Sequence, residues 1–256
     1  MFELRGAGFT IADRPLLAAT ELTLEGGRVH GLIGHNGSGK STLLKLLARQ
    51  QPASQGALHF AGRPLSDWRP REFARRVAYL PQQLPATDNL LGRELVAMGR
   101  YPWRGLLGRH THEDTAAIER AIAATHTEAF AERRVDTLSG GERQRVWLAM
   151  LLAQGSDFLL LDEPLAALDI AHQVEVLTLV RKLSQTLGLG VVIVLHDVNL
   201  AARYCDHLIA LQGGRVLTRG TPAELMNAAT LEAIYGIPMH VMAHPASREP
   251  VALVHG

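Results

Sequence analysis

The sequence has little cysteine, little lysine and no long apolar run, and each shortage excludes a class of protein. Its one cysteine in 256 residues, Cys205, allows no intrachain disulfide and no cysteine-based zinc cluster. We expect it to be a small buried side chain near a helix end. No stretch approaches the roughly 18 apolar residues that span a bilayer, and the first residues lack the features of a signal peptide. We therefore expect a cytoplasmic chain that would serve a membrane only as a peripheral subunit.

The chain also lacks an excess of either sign of charge, because its net charge is only +1. A protein that binds nucleic acid through a broad positive field needs a larger excess of positive charge. The arginines between Arg69 and Arg76 lack the interleaved aromatic side chains that stack on bases. We therefore expect no nucleic-acid partner. The 47% of hydrophobic residues can instead supply the core of one large α/β domain.

One of the three lysines falls in a glycine-rich stretch that fits the phosphate-loop pattern of a glycine, four free positions and Gly-Lys-Ser. The stretch consists of Gly34, His35, Asn36, Gly37, Ser38, Gly39, Lys40, Ser41 and Thr42. Glycine allows turns that point backbone N–H groups at a phosphate, and Lys40 adds a cation for the β- and γ-phosphates. Ser41 supplies a hydroxyl oxygen suited to Mg²⁺. An apolar strand precedes the stretch and a leucine-rich helix follows it, so the sequence predicts a nucleotide site.

Three further apolar runs end in polar side chains. Strands buried on both faces read as continuous apolar runs, and open α/β sheets bind ligands at the carboxyl ends of their strands. The predicted strands 77–80, 158–161 and 191–195 are followed by Gln82, by Asp162 and Glu163, and by His196. In phosphoryl transfer, the first of the paired carboxylates can support Mg²⁺ and the second can polarise the attacking water.

A second anion site is predicted where Ser139, Gly140, Gly141 and Glu142 open a helix. A Ser-Gly-Gly turn at a helix N-terminus offers backbone N–H groups, a hydroxyl and a favourable dipole. Two phosphate-binding helix starts in one chain make sense if ATP is clamped between two copies of it.

Between about residues 90 and 154 the strand-like runs vanish, and Ala, Glu, Arg and Leu recur with helical spacing. This pattern predicts a helical insertion between two halves of an α/β core. Inside it, Tyr101 and Trp103 lie in a turn-rich loop, where they either anchor the loop or face a partner. His110 and His112 have no third ligand nearby, so we expect surface histidines rather than a metal site.

Two predictions concern the last quarter of the chain. Leu208 to Leu217, with Gly213 and Gly214 between its halves, predicts a hairpin. The tail from Pro245 is rich in proline and polar residues, which predicts a loosely held end.

Together these motifs resemble the ATP-binding-cassette (ABC) family, and the resemblance covers essentially the whole chain. It implies an α/β fold, an ABC-type nucleotide-binding domain with a RecA-like P-loop core, an antiparallel β subdomain and an inserted α-helical subdomain. It also implies a single ATPase domain, 1–256. Within it, 1–89 and 155–240 form the core with the β subdomain, 90–154 the helical signature subdomain and 241–256 a C-terminal tail.

The resemblance implies ATP and Mg²⁺ as cofactors and assigns roles residue by residue. Gly34 to Thr42 match the Walker A loop, Asp162 the Walker B aspartate, Glu163 the general base, Gln82 the Q-loop glutamine, Ser139 to Glu142 the signature, Ala167 to Asp169 the D-loop and His196 the switch histidine. Catalysis is thereby assigned to Glu163, His196, Gln82 and Lys40, and metal binding to Ser41, Gln82 and Asp162. The sequence departs from the family where an aromatic usually stacks on adenine, since Ile11 and Ala12 stand there; no stacking residue is assigned.

Several phrases resemble, more narrowly, the ATP-binding subunit of bacterial ferric-hydroxamate siderophore importers. They lie at 79–85, 99–103, 168–173 and 201–206, and in the stretch 220–238 around 234–238. This resemblance implies a peripheral ATPase on the cytoplasmic face of the inner membrane that powers uptake of ferric hydroxamate siderophores. Its partners would be a second copy of itself in a head-to-tail ATP sandwich, a membrane permease docked near Gln82 and Tyr101–Trp103, and indirectly a periplasmic siderophore-binding protein.

Other readings remain open at this point. Haem, vitamin B12 and other siderophore importers share the architecture. A soluble cassette ATPase of DNA repair would carry a long coiled coil between the phosphate loop and the Asp-Glu strand, and ribosomal members usually carry two cassettes. A non-catalytic scaffold is disfavoured because Lys40, Glu163 and His196 are all present.

Overall fold

The computed structural model describes residues 1–105, 108–166 and 168–255 of the chain. Its strands are β1 (Phe2–Ile11), β2 (Arg14–Leu24), β3 (Val29–Ile33), β4 (Gln55–Phe60), β5 (Arg63–Pro64), β6 (Val77–Leu80), β7 (Phe158–Leu161), β8 (Gly190–Val194), β9 (His207–Gln212), β10 (Arg215–Gly220), β11 (Met239–Ala243) and β12 (Pro250–Val254). Its α-helices are α1 (Lys40–Leu47), α2 (Pro70–Ala74), α3 (Gly92–Met98), α4 (Tyr101–Arg104), α5 (His112–Thr125), α6 (Gly140–Ala153), α7 (Ile170–Leu187), α8 (Val198–Tyr204), α9 (Pro222–Leu225) and α10 (Ala228–Tyr235). In the described part, none of these helices has both the length and the apolar character that a bilayer crossing requires.

The chain forms two compact units. Unit 1 comprises Met1–Asp67 and Gly190–Gly256, and unit 2 comprises Trp68–Leu189. The predicted division at 89, 154 and 240 stays a prediction. Leu106, Leu107 and Gly256 lie outside the described residues, as does Ala167 of the predicted D-loop.

Unit 1 contains an antiparallel sheet in the order β2-β1-β4-β5. Alternation along β1 fixes its register, because Phe2 and Leu4 both point inward and pair with Leu24 and Leu22 of β2. The Phe2 ring packs at 4.6 Å from the Phe60 ring of β4. This sheet is the predicted antiparallel β subdomain in its strands and pairing.

Unit 1 also holds strands whose residues are buried throughout. All five residues of β3 and all five of β8 are buried, as continuous apolar runs predict. β3 runs parallel to β8 and to β9, with Leu32 opposite Val194 and Ile209. β9 and β10 form the predicted hairpin, turning at Gly213 and Gly214 with φ of +54° and +77°. Because β3 and β8 are parallel, the loops that follow them leave the same edge.

Unit 2 combines a parallel strand pair with the helices predicted between 90 and 154. β6 pairs with β7 so that Leu80 lies opposite Leu161. Helix α6 buries Trp147, Leu148 and Leu151 and packs against α3 and α5. The wholly apolar strands thus again end side by side, which places Gln82 and the Asp162–Glu163 pair at one edge.

The predicted loosely held tail is wrong. β11 and β12 pair along their full length, from Met239 opposite Val254 to Ala243 opposite Pro250. Ala252 is 4% exposed and exchanges two hydrogen bonds with the side chain of Asn199. The polar, proline-containing residues that suggested disorder form only the turn of this hairpin. The alternating small and apolar residues after that turn form β12, which packs against α8.

Candidate nucleotide-binding site

The phosphate loop of unit 1 runs from the end of β3 to the start of α1. Gly34, Gly37 and Gly39 have φ of +130°, +75° and +105°, conformations that side chains with a Cβ rarely adopt. Gly34 also has no room for a Cβ, which would collide with the carbonyl of Leu211. Gly39 caps α1 without any side-chain hydrogen bond. The first N–H groups of α1 therefore receive no side-chain cap, which suits a loop that binds an anion.

Lys40 lies at the centre of this loop and is 4% exposed. Its Nζ donates to the carbonyl oxygens of Gly34 and His35, both at 2.7 Å, and lies 3.5 Å from Ser38 Oγ. These three loop oxygens lie around the buried cation, a setting in which phosphate oxygens would be stronger partners. His35, Asn36 and Gly37 are exposed around it, while Ser41 and Thr42 are half-buried.

His196 follows β8 at the same sheet edge from which the phosphate loop leaves β3. Its side chain is exposed, and the next residue, Asp197, caps α8 by accepting from the N–H groups of Asn199 at 2.7 Å and Leu200 at 3.0 Å. The structure therefore brings two predicted site elements of unit 1 to one edge, the phosphate loop and the switch histidine.

In unit 2, Gln82, Asp162 and Glu163 lie together at the ends of β6 and β7. Gln82 Nε2 donates to Glu163 Oε2 at 2.7 Å. Asp162 is 1% exposed, and its backbone N–H donates to Leu80 O at 2.9 Å. Burial, and then the charge of Asp162 and a hydrogen bond to it, raise the pKa of Tyr79 to about 12. The buried carboxylate is thus held next to a neutral hydroxyl donor.

Glu163 has an unusual backbone. Its φ is +49°, in the left-handed region that residues with a Cβ seldom occupy. Strain of this kind persists where the surrounding structure fixes it and is concentrated at functional sites. Here it turns the carboxylate to its partner Gln82 immediately after the buried strand β7.

The signature turn caps the start of α6 with side chains, whereas the phosphate loop leaves the start of α1 without a side-chain cap. Ser139 Oγ accepts from the N–H of Glu142 at 3.3 Å, and Glu142 Oε2 accepts from the N–H of Ser139 at 2.8 Å. Hydrogen bonds from the backbone and hydroxyl of Ser139, with the charge of Arg133, lower the pKa of Glu142 despite some desolvation. Glu142 is therefore already engaged in a capping box, together with an ion pair to Arg133 at 3.2 Å.

Asp169 caps α7, and His172 joins it to the signature turn. Asp169 Oδ1 accepts from the backbone N–H of His172 at 3.0 Å and lies 2.8 Å from its ring Nδ1. A Cβ added at Gly141 would collide with the His172 ring. The second glycine of the signature is thus required by a neighbour within the same unit, which the motif alone did not indicate.

The structure favours the anchoring role for Trp103 and leaves Tyr101 outermost. The guanidinium groups of Arg75 and Arg100 both lie over the Trp103 ring, 4.7 and 4.9 Å from its centroid. Its Nε1 donates to Gln154 O at 2.7 Å. Tyr101 is 51% exposed, against 40% for Trp103. The phenol is the better candidate for a partner contact.

The remaining predictions on single residues concern Cys205, His110 and His112. Cys205 is 3% exposed at the end of α8, as predicted. His110 and His112 are exposed, and the described residues contain no cluster of three or more His, Cys, Asp or Glu side chains that could hold a metal. The sequence did not indicate a role for Asn199, Tyr235 or His172. Each lies next to a site element, but the residues that it contacts are brought there only by folding.

A family model described as "ABC transporter" matches residues 17–166. The chain is 40% identical over 255 residues to the ferric enterobactin transport ATP-binding protein of Escherichia coli, covering 99% of this chain and 94% of the relative. It is 38% identical to the iron(3+)-hydroxamate import ATP-binding protein of Bacillus subtilis, covering 97% and 92%. It is 43% identical to the hemin import ATP-binding protein of Streptomyces coelicolor, covering 96% and 86%.

Solved structures give the same fold. The chain superposes with a TM-score of 0.87 on a chain of a putative metal-chelate type ABC transporter in an inward-facing conformation, at 23% identity and covering 100% of this chain and 97% of the other. It superposes with a TM-score of 0.75 on a dimeric bacterial ABC transporter cassette, at 26% identity, covering 87% and 99%.

Proposed function

Because the chain belongs to the ABC transporter family, we propose that it is the ATP-hydrolysing subunit of an importer that carries ferric siderophores across a bacterial inner membrane. Ferric hydroxamates are the first proposed cargo. The observation that carries the proposal is the match over 96% to 99% of the chain to ATP-binding proteins of enterobactin, hydroxamate and hemin uptake. The chain's own phosphate loop and paired Gln82 and Glu163 supply the groups that the activity needs.

ATP hydrolysis assigns a task to each of these groups. Lys40 and the loop residues Gly34 to Thr42 bind the phosphates, with the uncapped start of α1 directed at them. Glu163 accepts a proton from the attacking water, and Gln82, bonded to Glu163 at 2.7 Å, orients that water. His196 holds the γ-phosphate. Positioning and charge stabilisation supply most of the catalysis in phosphoryl transfer.

The residues proposed for Mg²⁺ fit a hard cation in their chemistry. Ser41 offers a hydroxyl oxygen, Gln82 an amide oxygen and Asp162 a carboxylate, and the Gln82 amide bonds to Glu163 through its nitrogen, which leaves the oxygen end for another partner. When bound, Mg²⁺ would neutralise charge on the phosphate oxygens.

The signature turn acts on ATP bound to a second copy of the chain. Ser139, Gly140, Gly141 and Glu142 supply the second helix start in a head-to-tail dimer, and Asp169 lies beside them through His172. The dimeric cassette at 26% identity supports the pairing of two copies. Closing and reopening of the dimer would drive a permease.

A membrane permease docks near Gln82 and Tyr101–Trp103, which the structure places in the short helix α4 rather than in the predicted turn-rich loop, and a periplasmic siderophore-binding protein delivers the cargo to it. The chain would then lie at the cytoplasmic face of the inner membrane as a peripheral subunit. Next to Gln82, unit 2 has a cavity of about 360 Å³ lined also by Thr87, Gln144 and Trp147. Its mixed polar and apolar lining suits a short segment of a protein partner.

Hemin is the second candidate cargo. The 43% identity to a hemin import protein is slightly higher than the 38% and 40% to the hydroxamate and enterobactin proteins. Identities this similar do not rank the cargoes, because this subunit would not contact any of them.

The proposal is tested by uptake of radioiron-labelled ferrichrome in cells that lack their own hydroxamate-transport ATPase. The cells receive the permease from the same source as this chain, with either the wild type or Lys40→Ala. We expect uptake with the wild type and none with the variant. An active, membrane-associated wild type that gives no uptake would overturn the hydroxamate cargo, and the same cells are then assayed with hemin.

Permease docking is tested separately with Tyr101→Ala. We expect the variant to keep its ATPase activity and to co-purify with the permease several-fold less than the wild type, because an exposed aromatic centre is lost. Glu113→Ala, an exposed substitution in α5, is the control. Undiminished co-purification of Tyr101→Ala would place the docking surface elsewhere.

A further inference from the structure

The C-terminal strap, defined as residues 228–255 with α10, β11 and β12, contacts two separate parts of the proposed nucleotide site. Both contacts lie within unit 1. One is made to the first turn of α8, directly after the switch histidine, and the other to the phosphate loop. Neither follows from the motifs.

The first contact is a pair of hydrogen bonds between Asn199 and Ala252. Asn199 Nδ2 donates to Ala252 O at 3.0 Å, and Ala252 N donates to Asn199 Oδ1 at 2.7 Å. The backbone N–H of Asn199 also donates to Asp197 Oδ1 at 2.7 Å. The first turn of α8 is therefore held on one side by its own cap and on the other by β12. His196 is the residue that leads into this doubly held turn.

The second contact joins Tyr235, the last residue of α10, to His35 in the phosphate loop. The two rings meet edge to face, with centroids 5.7 Å apart and planes at 76°. The end of α10 is fixed in turn by Gln212, whose Nε2 donates to Ala233 O at 3.0 Å. Gln212 follows Leu211, the residue whose carbonyl excludes a Cβ at Gly34. Helix α10 is thus tied to the strand that backs the loop.

The Tyr235 hydroxyl is not the group that makes the second contact. Burial, and then the negative charge of Asp197, raise the pKa of Tyr235 to about 12. The oxygen is buried and has no hydrogen-bond partner among the described residues. The contact with His35 is therefore made by the Tyr235 ring and not by its hydroxyl. Tyr235→Phe keeps this ring contact, and Tyr235→Ala removes it.

We propose that the strap positions both sides of the γ-phosphate site, with Asn199 fixing His196 through α8 and Tyr235 fixing the phosphate loop through His35. Neither residue touches the substrate, and both act through a neighbour. The proposal rests on the roles of His196 and of the phosphate loop proposed above.

The test is a comparison of kcat and KM for ATP in four variants of the full chain. Asn199→Ala should lower kcat about tenfold with little change in KM, because the loss of both hydrogen bonds to Ala252 frees the turn that His196 leads into. Tyr235→Ala should raise KM about fivefold with little change in kcat, the size of one aromatic pair. Tyr235→Phe should restore the wild-type KM. Leu253→Ala, in β12 and 47% exposed, is the control that should change neither constant.

Two further measurements separate positioning from loss of fold. Thermal unfolding is recorded for each variant, and Asn199→Asp, which keeps an acceptor for Ala252 N but loses the donor, should give an intermediate kcat. The proposal would be overturned if kcat fell and KM rose together in each variant, in proportion to its loss of stability. A wild-type kcat in Asn199→Ala would also overturn it. His196→Ala is measured alongside. If it keeps the wild-type kcat, the switch assignment fails with the Asn199 part of the proposal, while Tyr235 is still judged by KM.

Discussion

The two helix starts assigned to ATP, at α1 and at α6, are built in opposite ways. Gly39 caps α1 with φ of +105° and no side-chain hydrogen bond, whereas Ser139 and Glu142 close a complete capping box on α6. The start of α1 therefore has no side-chain cap, and Lys40 is its first residue. At α6 the chain satisfies part of the helix start itself. The phosphate loop is thus suited to bind nucleotide within one chain, and the signature turn to add a weaker contact from a second chain.

A third helix start shows what a purely structural cap looks like. Thr111 and Asp114 form the same kind of box on α5, and Asp114 Oδ1 also accepts from Arg100 Nε at 2.8 Å. Both partners of this ion pair are nearly inaccessible, with side chains 5% and 3% exposed. Buried pairs of this kind fix a structure, because removing one partner leaves the other charge unpaired. The α6 box is more exposed and has its hydroxyl at the surface.

The largest effect is expected when hydrolysis is blocked while ATP stays bound to both helix starts. Glu163→Gln should lower the hydrolysis rate by about 10²- to 10⁴-fold, since general-base catalysis contributes that much. ATP binding should remain, so both helix starts stay closed on the nucleotide and a dimer persists. ATPase assays and size-exclusion chromatography with ATP measure this. Hydrolysis at the wild-type rate would contradict the assignment of Glu163, and Glu119→Gln, a surface carboxylate in α5, is the control.

The α5 cap should respond to acid. Burial alone would raise the pKa of Asp114, but hydrogen bonds from Arg100 and Thr111 outweigh it and lower the pKa to about 2, from 3.8. The folded-state pKa is depressed, so this stabilisation of about 2 kcal/mol is present above pH 4 and is lost as the pH falls toward 2.

Urea unfolding of the wild type and Asp114→Asn between pH 7 and pH 3 checks this expectation. The variant should be less stable by about 2 to 4 kcal/mol at pH 7, and the difference should narrow in acid. Asp157→Asn, which breaks an exposed pair with Arg76, should cost at most about 1 kcal/mol. A difference for Asp114→Asn that does not depend on pH would show that the carboxylate charge is not the cause.

The smallest expected effect compares the α6 and α5 boxes directly. Ser139→Ala should cost about 1 kcal/mol of stability through the lost cap and lower the ATPase rate about tenfold. Thr111→Ala removes the same kind of cap from α5 and should reduce stability without changing kcat. Thermal unfolding and ATPase assays of both variants measure the two quantities. If the two variants lost kcat equally, the signature turn would have no role beyond capping.

Much of the fold could be predicted because its signals are local. Continuous apolar runs identified β3, β7 and β8, whose residues are buried throughout, and alternation identified β1. The tail was predicted wrongly because composition describes a whole segment, whereas burial of Ala252 depends on one face of a short strand. Trp103 was left open between two roles, and the guanidinium groups of Arg75 and Arg100 over its ring decided for anchoring. Arg75 directly follows α2 and Arg100 directly precedes α4, so only the fold brings both to one ring.

The sequence by itself determined the chemistry of this protein. The phosphate loop is recognised by its glycines at positive φ and by the lysine among them, and the other site residues by their place directly after buried strands. Each of these signals lies within a few neighbouring positions, so the sequence shows the motif and its element together. Only the tertiary structure decided how those groups are held. Asn199 meets Ala252 across 53 positions, through a backbone amide that every residue except proline carries, and Tyr235 meets His35 across an even longer stretch. Contacts to backbone leave no signature in the partner's side chain, so the strap is visible only once the chain has folded.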